Sequence, residues 1–243
     1  MSLRREEILK ELGLTPLWRS RAGVAAQTPA PSPANHHNVD ACATGITDDR
    51  RAQILRMDWV QLKASVASCT ACPLHQTRTR TVFGVGDENA DWLLVGEGPG
   101  AEEDAKGEPF VGPAGQLLDN MLAAIKLKRG QDVYIANVVK CRPPGNRNPG
   151  HEEAQQCEPY LARQIELIKP KLIVVLGKVA AQNLLHTDAT VASLRGNLHE
   201  YKGIPLIVTY HPAYLLRSLS DKSKAWQDLC LATTTMQALQ SEK

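Results

Sequence analysis

Aromatic side chains are scarce in this sequence: 5% of its 243 residues, with only two phenylalanines, Phe83 and Phe110. A ring that stands beside a motif therefore carries more information than usual. Excess charge is missing too, with 28 Lys and Arg against 26 Asp and Glu. Residues 1–51 hold seven of the basic and six of the acidic residues, leaving 21 against 20 elsewhere. Neither part is a basic arm, so a nucleic-acid partner has to be read from local clusters. Long apolar runs are absent, and stretches such as Leu172–Leu176 are far too short to cross a bilayer. The opening MSLRREEILKELG is charged and lacks the apolar centre of a signal peptide. These absences lead to the expectation of a cytoplasmic protein without membrane contact. Six cysteines in that compartment read as metal ligands or buried residues rather than disulfides.

What is present is ordinary globular material, 43% hydrophobic and 22% charged, enough for one packed domain and an appendage. Residues 1–51 form the appendage. Leu3, Ile8, Leu9, Leu12 and Leu14 are spaced for an amphipathic helix over 3–13, either a docking peptide for a protein partner within residues 1–20 or a solvated end. Residues 22–47 are rich in Ala, Pro and Thr with Asp40 as the sole charge, a composition that reads as a flexible linker. Residues 52–243 are the folded domain, expected to be monomeric.

Within the domain, a helix is predicted over 52–67. Strand patterns follow at Trp92–Val95, Val133–Val139, Leu172–Leu176 and Leu206–Thr209. Helical patterns occupy 114–127, 151–168, 178–186 and 222–239, and Lys169-Pro170 stops the second of these. Such alternation predicts an α/β fold: three layers, αβα, around a mostly parallel four-stranded sheet. Ligands in these folds bind beyond the carboxyl ends of the strands.

Cys69-Thr-Ala-Cys72 is a CxxC, which brings two sulfurs to one metal centre. Cys141 and Cys157 can complete four thiolates. Spacing alone leaves a zinc ion, a four-iron cluster and plain buried cysteines all open. Cys42 and Cys230 have no place in the pattern, and Cys230 reads as a core residue.

Three polar segments follow the strand ends. Gly96-Glu97-Gly98-Pro99-Gly100 is a tight turn whose acids would repel a nucleotide phosphate, so Glu97 suits work on water or on an electron-poor carbon. Phe110, in a Gly/Pro-rich loop, is either a stacking platform for a flat ligand or a core plug. Asn137 interrupts an apolar strand. An unpaired buried amide costs about 1–3 kcal/mol, so it needs a partner. A pyrimidine edge carrying O4 and N3–H is one that a fixed Asn would tell from cytosine. His211 begins His-Pro-Ala-Tyr-Leu-Leu-Arg217, an electrophile followed by apolar residues and a cation. Lys140, Arg142 and Arg147 cluster in one loop and Arg78 and Arg80 in another, as phosphate-gripping loops do.

In their order and spacing, CTAC, RTRTVFGVG, VGEGPGAEED, PFVGPAGQLL, ANVVKCRPPGNRNP and HPAYLLR closely resemble the family 4 uracil-DNA glycosylases, over about Ser68 to Leu229. The resemblance implies hydrolysis of the N-glycosidic bond of deoxyuridine in single- or double-stranded DNA. It also implies a [4Fe–4S] cluster on Cys69, Cys72, Cys141 and Cys157. The uracil pocket would comprise Glu97, Gly98 and Pro99, with Phe110 stacking, Asn137 reading the base edge and His211 at O2. Other glycosylase families place an Asp and a Tyr where Gly98 and Gly100 stand, so those two roles do not carry over; Glu103 is the candidate for screening the C5 side. A flipped nucleotide would leave a gap for Leu215 or Leu216, with Arg217 and the Lys140–Arg147 loop on the backbone. Two rivals are a uracil-DNA binder without turnover and a redox protein built on the cluster. The binder would need an added basic loop after HPAYLLR, which is lacking; the redox protein leaves the polar crevice unused.

Overall fold

The structure, a computed structural model, describes residues 48–241. The segments read as a helix at 3–13 and a linker at 22–47, and Cys42, lie outside the described residues. Helices α1 (Asp48–Ile54) and α2 (Trp59–Ala67) stand where one helix over 52–67 was predicted. The break is a reciprocal cap: Asp58 Oδ1 accepts from the Gln61 amide at 2.8 Å, and Gln61 Oε1 accepts from the Asp58 amide at 3.1 Å. Such a box starts a new helix.

The sheet has six strands: β1 (Val85–Gly86), β2 (Trp92–Gly96), β3 (Val133–Asn137), β4 (Leu172–Leu176), β5 (Leu198–Tyr201) and β6 (Ile204–Thr209), in the order β1-β3-β2-β4-β6-β5. Its parallel centre, β3-β2-β4-β6, is the four-stranded sheet read from the sequence. The antiparallel edges β1 and β5 correct the strand number. Both edges escaped notice because neither has an apolar run: β1 is two residues long, and β5 is the mostly polar, largely exposed LHEY.

Alternate residues of the central strands point to opposite faces, and both faces are covered. Leu93, Val95, Ile173 and Val175 pack with Leu161 and Ile165 of α5 (His151–Ile168) and Ala181 and Leu184 of α6 (Lys178–Leu185). Leu94, Ile135, Val174 and Ile207 pack with Leu118 and Leu122 of α4 (Pro113–Ala124) and with Ala232 and Met236 of α9 (Lys222–Ser241). The remaining short helices are α3 (Ala101–Lys106), α7 (Val191–Leu194) and α8 (Pro212–Leu215). Helix α5 stops as predicted, with Lys169 left-handed before Pro170. None of the described helices is long and apolar enough to cross a membrane.

Register aligns the carboxyl ends. Gly96 pairs with Asn137 across β2–β3, and Leu176 with Thr209 across β4–β6. Past the end of β3 the chain stays latched to the first loop, because the Val138 amide donates to Gly96 O at 3.0 Å and the Val139 amide to Glu97 O at 3.2 Å. The loops that follow all four parallel strands therefore open on one side of the sheet.

At the β1 edge, Gly86 holds φ +137° and a Cβ there would lie 2.2 Å from Val133 O. Gly86→Ala should lose about 1–3 kcal/mol in urea denaturation; unchanged stability would mean that this close approach is dispensable.

Candidate active site and cysteine cavity

A cleft of about 840 Å³ lies beyond the carboxyl ends of the parallel strands and gathers Glu97, Gly98, Pro99, Phe110, Asn137 and His211 on one wall system. That is far more room than one pyrimidine ring requires, and the cleft runs outward past Arg147, Lys178, Tyr214 and Arg217.

Asn137 is 2% exposed, and its Oδ1 is buried with no hydrogen-bond partner. An acceptor left in that condition at a cleft wall costs about 1–3 kcal/mol. It is the strongest single indication that a ligand donor belongs there. Phe110 combines the two roles left open by sequence. Its ring is buried and belongs to the core cluster with Leu94 and Leu118, yet it also lines the cleft and stacks on His211, with centroids 5.5 Å apart at 29°. Its backbone is left-handed, φ 56°, an unusual state for a bulky residue. Arg129 holds it there by donating to Pro109 O at 2.8 Å and Phe110 O at 2.9 Å, while Asp119 grips the guanidinium at 2.9 Å.

Glu103 lines the cleft, but its carboxylate is taken up by backbone amides. Its Oε1 accepts from the Val111 and Gly112 amides at 2.9 and 3.2 Å, and its Oε2 from the Gly100 amide at 3.1 Å. It is a clamp between the first loop and the Phe110 loop. Asp104, 2% exposed, does the same for Thr79 and Arg80 by accepting their amides. Glu97 has no such duty; burial pushes its carboxyl above the usual range.

His211 caps α8, and its Nδ1 accepts from the Ala213 amide at 3.1 Å. A nitrogen that accepts carries no proton, so the neutral ring has its hydrogen on Nε2. Burial lowers the imidazole pKa to about 4; Glu103 pulls it back up and Arg217 pushes it further down. The cleft therefore presents an uncharged N–H donor at neutral pH. Gly177, the first residue past β4, makes room for it: a Cβ there would lie 2.9 Å from His211 Cβ.

Several sequence expectations are corrected. Lys140 is no phosphate ligand: it is 1% exposed, and its Nζ donates to Asn137 O at 2.8 Å and Gln164 Oε1 at 2.6 Å. Burial lowers its pKa to about 8, against an upward pull from Cys157 and Cys141. Leu215 is 1% exposed and packed inward, so it cannot enter DNA; Leu216, 42% exposed, can. Arg142 is tied to Asn146 Oδ1 at 2.7 Å, and Arg147 makes a two-pronged pair with Glu153 at 2.6 and 2.8 Å. Of these two loop arginines, Arg147 lines the cleft. Cys230 is exposed rather than core; at the helical period it falls on the outer side of α9, which the apolar pattern of its neighbours disguised. The cleft also holds Lys178, at the first turn of α6, and Tyr210, neither singled out by the sequence, and Tyr214 of the HPAYLLR segment, stacked on Tyr210 with centroids 5.1 Å apart. The only signal for Lys178 and Tyr210 was position just past a strand end.

Cys69, Cys72, Cys141 and Cys157 together line a second, small cavity behind the Lys140 loop. Hydrogen-bond donors reach all four sulfurs: Arg50 Nη2 to Cys69 at 3.8 Å, Arg78 Nη1 to Cys141 at 3.1 Å, the Lys140 amide to Cys157 at 3.3 Å and the Leu74 amide to Cys72. Arg78 is thus turned inward, away from a phosphate role. Burial raises the thiols of Cys72 and Cys141, and that of Cys157 to about 12. Cations and amides aimed at sulfur suit thiolates held by a metal centre far better than neutral thiols. Among the described residues no three His, Cys, Asp or Glu side chains converge closely enough for a single ion.

The uracil DNA glycosylase superfamily model matches residues 83–230. The chain is 50% identical over 159 residues to a type-4 uracil-DNA glycosylase of Archaeoglobus fulgidus, covering 62% of this chain and 79% of that one. It is 46% identical over 159 residues to a type-4 uracil-DNA glycosylase of Thermotoga maritima, covering 65% and 82%. A third such protein, from Pyrobaculum aerophilum, is 42% identical over 183 residues, covering 72% and 93%.

The state of His211 can be tested apart from any likeness. A histidine whose folded pKa lies below its unfolded value of 6.5 contributes stability above that value and loses it as pH falls through 4. Long-range ¹H–¹⁵N spectra at pH 6 should show a neutral ring protonated on Nε2. An imidazolium at that pH would remove the burial argument.

Proposed function

This chain belongs to the uracil DNA glycosylase superfamily, with type-4 enzymes among its relatives, and is a uracil-DNA glycosylase; from that premise we propose how its residues divide the work. The orphaned Oδ1 of Asn137 carries the reading. Uracil N3–H supplies the donor that this oxygen lacks, and uracil O4 accepts from the same amide. Cytosine has a bare N3 there, which would leave the oxygen buried and unpaired, a mismatch that costs about 1–3 kcal/mol. Phe110 gives the base a face to stack on.

Cleavage breaks the bond between uracil N1 and C1′ of the sugar, with the electron pair leaving on uracil. His211 Nε2–H donates to O2 as that charge develops. Being neutral already, the imidazole has its electrostatics in place before the reaction begins. Water adds to C1′ and its proton passes to Glu97, whose burial raises its affinity for one. The uracil anion then takes up the proton held by Glu97, so the products are free uracil and an abasic site and Glu97 is a carboxylate again. Glu97 also offsets the positive charge on the sugar.

DNA is held at the outer cleft by Lys178 and Arg217, with Leu216 filling the space the flipped nucleotide vacates. A [4Fe–4S] cluster on Cys69, Cys72, Cys141 and Cys157 is supported by the cavity they share and by the donors at their sulfurs. When bound, it would cross-link the α2 end, the Lys140 loop and α5 as a structural element. No described residue needs it as an electron donor for hydrolysis.

Oligonucleotides bearing one uracil, thymine or cytosine should yield alkali-labile sites at uracil alone. Asn137→Asp should narrow the preference for uracil over cytosine, and preserved selectivity would dismiss Asn137 as the reader. His211→Ala should slow single-turnover cleavage on the order of 100-fold or more. For the wedge, Leu216→Ala should weaken action on duplex substrate more than on single strands; equal effects would reject it.

A further inference from the structure

Lys140 is among the largest fully buried side chains of the described residues, yet it carries a formal charge. A buried cation is costly unless paired. Among the described residues no carboxylate pairs with it, and its ammonium donates to the neutral oxygens of Asn137 and Gln164, at 2.8 and 2.6 Å. The acidic groups that act on its charge, among the described residues, are Cys157 and Cys141. Lys140 lines the cysteine cavity, its amide donates to Cys157 Sγ, and Cys141 is the next residue. Its side chain thus starts at the sulfurs and ends on the main chain of Asn137.

The far anchor is itself fixed. Gln164, wholly buried, donates through Nε2 to Phe83 O at 2.9 Å, which keeps Oε1 turned to the ammonium. Two of the three ammonium protons are used in this way. Asn137 is the last residue of β3, where the ladder ends, so its carbonyl needs a donor from outside the sheet. Lys140 supplies it.

We propose that Lys140 is a positioning residue of the glycosylase: its charge, balanced by the four-cysteine cavity, pins Asn137 and makes uracil recognition depend on that cavity being filled by an anionic metal–thiolate centre. This rests on the roles given above to Asn137 and the cysteines. The cluster then has a consequence in the base cleft without any electron moving. With the four sulfurs as neutral thiols, the ammonium has no counter-charge and its hold on Asn137 loosens.

Lys140→Met keeps nearly the same volume and removes charge and donors together. The test uses the full chain loaded with its metal centre and measures free-uracil affinity by calorimetry, uracil-over-cytosine selectivity, and the visible absorption and reduction potential of the centre. The variant should keep the centre, bind uracil about tenfold more weakly, lose selectivity, and show a more negative potential because a nearby cation is gone. A folded, loaded Lys140→Met with wild-type uracil affinity and selectivity would overturn the proposal. If that variant does not fold, Gln164→Leu removes the second anchor and is read in the same way. Gln164→Glu gives the ammonium its own counter-ion, so uracil affinity in this variant should survive removal of the centre, whereas that of the wild type should fall. Equal losses in both would also overturn the proposal. Failure of the wild type to bind or excise uracil would instead strike the functional reading, and a wild type without an iron–sulfur absorption would strike the cluster.

Discussion

At Gly96 the last rung of the β2–β3 ladder leaves no room for a methyl group, because Asn137 and Phe110 both close on it. A Cβ there would come within 2.5 Å of Asn137 Oδ1 and 2.6 Å of Phe110 Cζ. The Asn137 amide and the Phe110 ring are therefore both set against the end of the β2–β3 ladder. Everything else at the cleft is arranged to keep that contact. Arg129 holds the carbonyls of the Phe110 loop, Glu103 holds its amides, and Phe110 in turn braces His211 from the side. Gly115 is bound by the same geometry, since a Cβ there would lie 1.8 Å from Phe110 O.

Much of this was legible in the sequence, for reasons that differ from part to part. Long periodic elements were read almost to the residue: α5 runs from 151 to 168 as predicted, because buried strands and amphipathic helices write their periods plainly. Glu97, Phe110, Asn137 and His211 were found because each is an odd residue in its setting, and the structure gathers all four at one cleft. The edge strands β1 and β5 were not found, since two residues in one case and a mostly polar run in the other carry no apolar signature.

The basic residues were the least legible. Lys140, Arg142, Arg147, Arg78 and Arg80 look alike as letters, and charge in a loop suggests a polyanion. Their actual fates depend on partners outside the loop: Gln164, 24 residues from Lys140, Cys141, 63 from Arg78, and Glu153 in the helix that follows Arg147. Lys178, at the cleft with no neighbouring cluster to draw attention to it, was overlooked for the converse reason. Burial of a cation is a tertiary fact, and local composition does not encode it. The same holds for leucines 215 and 216, adjacent in sequence and opposite in exposure, where a single helical step decides which meets solvent.

The hydrogen bond from the Ala213 amide to His211 Nδ1 spans only two residues. It makes the tautomer of the ring a property of one turn of chain, and the ring it fixes is uncharged. On the proposed division of labour, attraction to a polyanion falls to exposed cations at the outer cleft, and cleavage to buried groups within, the neutral His211 ring and the Glu97 carboxyl. Ionic strength acts on the first and hardly on the second, since screening weakens exposed charges and leaves short, buried hydrogen bonds nearly untouched. An enzyme so divided can have its residence on DNA tuned by salt while its intrinsic bond-breaking step keeps the same pace.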